Sequence, residues 1–438
     1  MPSWQVRPDW GRLRYNASMR RKSHLHLSDI RGYSQLAIDA TVGVADLVET
    51  LHQTIVRTPG VLGKPVQERT GGISGFVYKV VRGITRGVGG GIDLVLERLV
   101  PLLESRESTA EREAILAALN GVLGDHLVTR SNPLRIEMQL RRNGKALALT
   151  PVGLAAALPD ANGRILLRVH GLCMGDRQWL RKGHDHGARL GADLGVTVID
   201  VNYNTGLHVA ANGRALAGLL EALLAAWPVP VEHLDMLGYS MGGLVTRSTC
   251  RAACEAGQTW LKHLRKIVFL GTPHHGAPLE RGGNWVNLIL DASPYTTAFS
   301  RLAKIRSAGI TDLRYGNLLE QDIASVASDE EDAIGHKPET SAQSRDRFSH
   351  GPDARQVVPL PDGVTCYTLA GVLAKDADDR KRMMGDGLVP RDSALGQHAE
   401  ARRILAIPEA RQWTGYAMHH LDLLDRQDVY LKLREFLA

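Results

Sequence analysis

Cysteine and aromatic residues are scarce in this chain: four Cys, and 5% Phe, Trp and Tyr, in 438 residues. Four thiols (Cys173, Cys250, Cys254 and Cys366) are too few for a disulfide framework and suit a reducing compartment. Cys250 and Cys254 stand one helical turn apart and read as core packing. With so few rings, aliphatic side chains must fill the core, and a hydrophobic content of 44% is ample for that. No uncharged apolar run reaches about 18 residues, so no membrane span is expected. Met1–Lys22 has no apolar h-region, so no signal peptide is expected, and the expected location is cytoplasmic, with peripheral membrane contact as the sharper alternative. No repeat recurs at a fixed period, which argues against a solenoid or propeller. The formal charge of +6 is mild for this length. Neither zinc-finger spacing nor an aromatic–basic RNA motif occurs, so no nucleic-acid partner is expected. No cofactor is expected either.

Glycine, by contrast, is plentiful, at 45 residues. One cluster, Gly83, Gly87 and Gly89–Gly91, lacks the Gly-Lys-Ser/Thr that a phosphate loop requires. It lies within 72–104, which together with 28–56 has the apolar spacing of an amphipathic helical region. Such a region either packs on the rest of the chain or lies on a membrane surface. A basic arm precedes it, with Arg7, Arg12, Arg14, Arg20, Arg21 and Lys22. A further helix is expected over Glu111–Leu123, and Pro133 is the expected border between an amino-terminal region (1–133) and a second domain (134–438).

From Leu134 the texture changes. Leu134–Arg141 and Ala146–Leu149 flank Asn143-Gly144, a hairpin signal. Strand-like runs then follow at Arg164–Val169, Val196–Val201, Leu234–Gly238, Ile267–Leu270, Thr365–Ala370 and Ile404–Ile407. Helical stretches near Trp179–Leu194, Gly213–Trp227 and Met241–Ala256 alternate with them. That alternation predicts an α/β fold: a mostly parallel sheet covered on both faces, with an antiparallel start. Residues 276–360 interrupt the rhythm and are expected to form a lid-like insertion.

The most informative motif is Gly238-Tyr239-Ser240-Met241-Gly242-Gly243, directly after an apolar run. It is the G-x-S-x-G pattern in which a serine sits on a strained strand-to-helix turn with its hydroxyl presented to a cleft. Ser240 is the candidate nucleophile. Its base should follow the last core strand, where His419 and His420 stand; His420 is preferred because an apolar helix start follows it. The acid that orients the imidazole is Asp386, in Gly385-Asp386-Gly387-Leu388-Val389-Pro390 after the Thr365–Ala370 strand. Asp376, Asp378 and Asp379 lie in a solvated charged run, and Asp200 precedes the serine, so all four fit less well. The oxyanion needs backbone donors: the N–H of Met241, at the helix start, and that of Leu172, in the loop His170-Gly171-Leu172-Cys173. His170 reads as a loop anchor. His184-Asp185-His186 is an H-x-H pair, but a spacing of two puts the rings on different helix faces; a capped helix turn is expected there, and no metal.

These motifs occur together and in order with Gly271-Thr272-Pro273-His274-His275-Gly276. Over roughly residues 134–438 the chain resembles the lipase/esterase branch of the α/β-hydrolases, near GPI inositol-deacylase-like enzymes and bacterial lipases. The resemblance implies an α/β-hydrolase fold and a serine ester hydrolase acting on a small-molecule or lipid ester. It implies Ser240, Asp386 and His420 as the triad and Leu172 and Met241 as oxyanion donors. It also implies a substrate pocket near His170, Gly171, Tyr239, Thr272, Pro273 and His274, with His274 and His275 as wall or lid-hinge residues. Acyl transfer or amide hydrolysis on the same triad is the alternative, and a non-catalytic membrane-associated protein of the same fold is a third reading. Peripheral membrane contact would run through residues 1–104.

Overall fold

The computed structural model describes residues 110–277, 307–322, 355–379 and 384–438, together with Gly32. The amphipathic stretches expected at 28–56 and 72–104, the basic arm, and most of the 276–360 insertion lie outside the described residues.

The hairpin forms where Asn143-Gly144 required it. β1 (Gln139–Arg142) and β2 (Lys145–Ala146) pair antiparallel, Arg142 opposite Lys145. Asn143 (φ 52°) and Gly144 (φ 76°) carry the two positive φ angles of a tight hairpin turn. Among the described residues six parallel strands complete the sheet: β3 (Arg164–Val169), β4 (Thr197–Asn202), β5 (His233–Tyr239), β6 (Leu264–Leu270), β7 (Thr365–Gly371) and β8 (Gln412–Gly415). Their spatial order is β2-β1-β4-β3-β5-β6-β7-β8, with β1 antiparallel to β4. The chain moves from β3 out to β4, then crosses back to lay β5 on the other side of β3. Strand order therefore reverses beside β3, the position at the carboxyl ends of the strands where ligand sites of open α/β sheets form.

The eight helices, in chain order, are α1 (Ala110–Thr129), α2 (Pro151–Ala157), α3 (His186–Leu194), α4 (Val209–Ala225), α5 (Met241–Glu255), α6 (Ala308–Tyr315), α7 (Arg391–Ala394) and α8 (Gln427–Leu437), among the described residues. Strand side chains alternate between two cores, as a period of two demands. Ile165, Leu167, Val169, Leu234, Met236, Ile267 and Phe269 face α4 and α5, which supply Leu216, Leu220, Leu223, Leu244 and Val245. Leu166, Leu237, Tyr239, Val268 and Leu270 face α3 and α8, which supply Leu190, Val429, Tyr430, Leu433 and Phe436. Both faces are covered, so the strands are mostly apolar on both sides rather than alternately polar. This sheet order, with the strand–turn–helix at Ser240, is an α/β-hydrolase fold. No described helix is long and apolar enough to cross a membrane.

Three expectations shift. Trp179–Leu194 is not one helix: a 3₁₀ turn (Asp176–Trp179) comes first, and α3 begins only at His186, capped by the Asp185 carboxylate. Ile404–Ile407 is not a strand; the last strand is Gln412–Gly415, paired to β7 through Leu369–Trp413 and Ala370–Thr414. Leu405 and Ile407 are instead drawn into the core below the sheet, and Pro408, without an N–H, ends that segment before the strand. Lastly, α1 spans the expected Glu111–Leu123 and runs on to Thr129, with a break in helical geometry at Leu123. It packs Leu119, Val122 and Leu127 against Leu134 and Cys173, so contacts run across the expected border at Pro133.

Candidate active site

Ser240 has φ 53° and ψ −124°, a conformation that costs a non-glycine residue on the order of 1–3 kcal/mol. Its neighbours enforce it. The Ser240 N–H donates to Leu270 O at 2.9 Å, tying the turn to the end of β6. A Cβ on Gly242 would stand 2.1 Å from Val169 O, and one on Gly238 would stand 2.7 Å from the Gly243 Cα. Glycine at both positions lets α5 start hard against β3 and β5. The serine is buried to 5% exposure, at the head of α5.

The acid and base arrive over the two next strands. Asp386 sits over the end of β7: a Cβ on Gly371 would lie 3.1 Å from the Asp386 Cβ. His420 sits over the end of β6: a Cβ on Gly271 would lie 3.1 Å from the His420 Cε1. Gly271 has φ 59° and follows Leu270, which pairs with Tyr239 in register. Ser240, His420 and Asp386 therefore top β5, β6 and β7 in turn. Asp386 Oδ2 lies 2.6 Å from His420 Nδ1, and both side chains are buried. Asp386 Oδ1 accepts the N–H groups of Leu388 (3.0 Å) and Val389 (2.8 Å), which fixes the carboxylate plane. The His420 N–H also donates to Asp386 O at 3.2 Å.

His419 is exposed and caps the short 3₁₀ helix His420–Leu424, its N–H donating to Asp422 Oδ2. Of the two histidines only His420 meets Asp386. Asp376 is spent on the local turn, accepting from Asp378 and Asp379 N–H. Asp200 is paired with Arg168 through Nε (2.7 Å) and Nη2 (3.1 Å).

Gly171 brings the loop after β3 onto the serine: its missing Cβ would meet the Ser240 Cβ at 3.1 Å. Among the described residues neither the Leu172 N–H nor the Met241 N–H donates to a protein acceptor. Cys173 (φ 58°) turns the loop away, held by its N–H to Thr205 Oγ1. The Cys173 side chain packs on α1 where Gly121 leaves room; a Cβ there would lie 2.2 Å from the Cys173 Sγ. α1 thus backs the loop that carries Leu172. The sequence contains no marker for this contact other than Gly121 itself.

The remaining pocket candidates are placed as follows. His170 is fully buried, stacked on Tyr203 at 4.4 Å, and its Nδ1 donates to Gly171 O; burial pushes its pKa down to about 4. It anchors the loop as a neutral ring. Tyr239 lies under His420, ring centroids 5.0 Å apart, with its hydroxyl donating to His420 O. It supports the histidine from the core rather than walling a cleft. Thr272 and Pro273 are buried beneath the turn, Thr272 filling the space beside Gly243. His274 is 1% exposed and lines a different cavity, with His275 and Arg247.

His184 and His186 are joined to one another. His186 Nε2 donates to Leu423 O (2.9 Å), which leaves its Nδ1 to accept from His184 Nε2 at 2.8 Å. Burial, above all, pushes the His186 pKa down to about 4. Asp185, between them, pairs with Arg168, which also spans Asp200 and lies over the Trp179 ring. With Arg181 on Asp425, these contacts fasten the segment that carries His420 to the start of α3. A capped helix turn is what the residues form.

A family described as Domain of unknown function (DUF7379) matches residues 144–327. No curated protein matches the chain. Among solved structures the chain is similar to the mature lipase BlEst2 of Bacillus licheniformis, at 16% identity and TM-score 0.38, covering 64% of this chain and 93% of that one. It is similar to lipase B of Aspergillus fumigatus at 12% identity and TM-score 0.33, covering 68% and 55%. It is also similar to an esterase of Pyrobaculum calidifontis at 14% identity and TM-score 0.33, covering 64% and 76%. The chain's own strand order and its turn at Ser240 carry the conclusion that the fold is that of an α/β-hydrolase.

Proposed function

We propose that the chain is a serine hydrolase of carboxylic esters, of the lipase/esterase kind. The observation that carries the proposal is the alignment of a strained Ser240, a buried His420 and an Asp386 at 2.6 Å from its Nδ1 over three adjacent strands. In this reading His420 Nε2 takes the proton as Ser240 Oγ attacks the ester carbonyl. Asp386 holds the proton on Nδ1, which leaves Nε2 as the acceptor, and stabilises the imidazolium that forms. The N–H groups of Leu172 and Met241 receive the oxyanion, helped by the dipole of α5. Collapse expels the alcohol with the proton from His420. Water, activated by the same ring, then cleaves the acyl-enzyme and restores the serine.

The test is turnover of p-nitrophenyl esters across acyl lengths, with covalent labelling by a fluorophosphonate, in wild type and Ser240→Ala. Labelling and turnover are expected to vanish together in the variant while its melting temperature holds. Retained turnover in Ser240→Ala would exclude the assignment. Labelling of wild type without ester turnover would point to another acyl acceptor on the same nucleophile.

A further inference from the structure

Arg247 stands seven residues after Ser240 on α5, two turns further into the protein, and is only 5% exposed. Its Nη2 donates to Val358 O at 2.6 Å, and its Nη1 lies 3.5 Å from His274 Nδ1. Its Nε is buried without a partner among the described residues. Among the described residues no carboxylate pairs with it. A guanidinium can only donate, so His274 Nδ1 is an acceptor and the ring proton sits on Nε2. That His274 Nε2 is likewise buried and, among the described residues, unpartnered, as is the Nε2 of His275. A buried donor left unmade costs about 1–3 kcal/mol, and a buried unpaired charge costs more.

All three side chains line one cavity of about 400 Å³, and Arg355, Arg403 and Arg411 line it too. The negative groups nearby are few or already engaged. Asp362 lines the cavity and is exposed. Glu400 is taken by Arg402 and Arg403. Asp322 accepts the N–H groups of Leu318, Leu319 and Gln356. Arg411 forms no ion pair among the described residues. Burial and the neighbouring Arg355 push the Arg247 pKa down to about 10, and burial and these arginines push that of His275 down to about 3. The pocket is therefore positive, with donor hydrogens that meet no acceptor among the described residues.

We propose that this cavity is an anion site distinct from the Ser240 centre, and that it takes a small organic phosphomonoester. A neutral ligand could accept from these donors but would leave the charge of Arg247 uncompensated, and a cation would be repelled. Phosphate presents several acceptor oxygens and close to two negative charges at neutral pH, which suits a set of planar guanidinium donors. The volume exceeds that of inorganic phosphate, and Val358, Leu360 and Leu405 offer the organic part an apolar wall. The site does not rest on the hydrolase reading, because none of Ser240, His420 or Asp386 lines it.

The test is calorimetry and thermal shift on the full chain, in wild type and in Ser240→Ala so that turnover cannot enter. The probes are glycerol 3-phosphate, inorganic pyrophosphate and dihexanoyl phosphatidic acid. Dihexanoyl phosphatidylcholine and sodium chloride at matched ionic strength are the controls. Saturable binding of the monoesters is expected, weakened at least about ten-fold in Arg411→Gln, which loses one charged contact. Arg247→Met is expected to lose binding yet to melt no lower than wild type without ligand, since an apolar chain replaces an uncompensated buried charge. Tighter binding of phosphatidic acid than of glycerol 3-phosphate identifies a lipid headgroup; the reverse identifies a soluble phosphate; either supports the site. Stabilisation matched by chloride, no saturable binding of either monoester (binding of pyrophosphate alone included), or affinity unchanged in Arg411→Gln overturns it.

Discussion

Replacing Asp386 by Asn tests the candidate site most directly, because the structure dictates which way the new amide must point. Asp386 Oδ1 accepts two backbone N–H groups, from Leu388 and Val389. In Asp386→Asn the amide oxygen has to keep that place; the reverse rotamer would set an NH₂ against two donors and leave buried groups unmet, at about 1–3 kcal/mol each. The NH₂ therefore takes the position of Oδ2, 2.6 Å from His420 Nδ1 in the native protein. Facing a donor, Nδ1 must become the acceptor, and the ring proton moves to Nε2. The ring then has no lone pair to receive the Ser240 proton. The wrong tautomer in a triad of this kind costs about 10⁴ in kcat, or about 5 kcal/mol of barrier. Because size and shape are unchanged, Tm is expected to move by no more than about 4 °C. The assay is ester kcat and KM beside thermal unfolding, with fluorophosphonate labelling rate as a second readout. A folded Asp386→Asn that keeps more than about a tenth of wild-type kcat would refute the assignment of the acid.

Three other substitutions and conditions probe the surroundings. Gly242→Ala places a Cβ 2.1 Å from Val169 O and 2.6 Å from His170 O, both backbone atoms; we expect about 1–3 kcal/mol of destabilisation and slower labelling, read by melting and fluorophosphonate kinetics. Gly121→Ala pushes Cys173 and with it the loop carrying Leu172, so kcat should fall more than stability does. Adding Cys173→Ala to it should restore turnover, and absence of rescue would disconnect α1 from the loop. Acid should weaken the fold. His170 and His186 have pKa values held down near 4, His275 near 3 and His274 well below its ordinary value, all chiefly by burial. Between about pH 6.5 and pH 4 the unfolded chain binds protons that the folded chain refuses, so stability falls as pH falls through that window. His208, raised by Asp312, acts in the opposite sense: its contribution is complete below about pH 6.5 and fades as pH rises through its folded value. Urea unfolding at pH 7.5 and pH 5 should show the four lowered histidines outweighing the one; equal midpoints would contradict it.

Much of this was legible in the chain. Asn143-Gly144 announced its hairpin because the turn demands positive φ at both residues, a local requirement. β3, β5, β6 and β7 fall within three residues of where their apolar runs placed them. The elbow is readable for the same reason: Gly238 and Gly242 are needed by backbone geometry within six residues. Asp386 and His420 were legible only as candidates, by order and flanking glycine. Ile404–Ile407 misled because an apolar run satisfies a core patch as well as a strand, and only the pairing partner on β7 separates the two. Tyr239 and His274 misled for a related reason. Each stands beside a motif residue in sequence, yet one supports His420 from below and the other faces a second cavity.

What the sequence determined by itself is local: the alternation that makes a sheet buried on both faces, the turn that strains Ser240, and the types of residue able to serve as acid and base. What only the tertiary structure decided depends on long-range packing. The crossover that lays β5 beside β3, and the seating of β6 and β7 next to it, bring residues 240, 386 and 420 to one edge. The same packing leaves Arg247 without a carboxylate among the described residues, and holds His170, His186, His274 and the half-buried His275 as neutral rings. No pattern along the chain encodes those outcomes, because desolvation and charge pairing are set by what lies across the fold, not by what lies alongside in sequence.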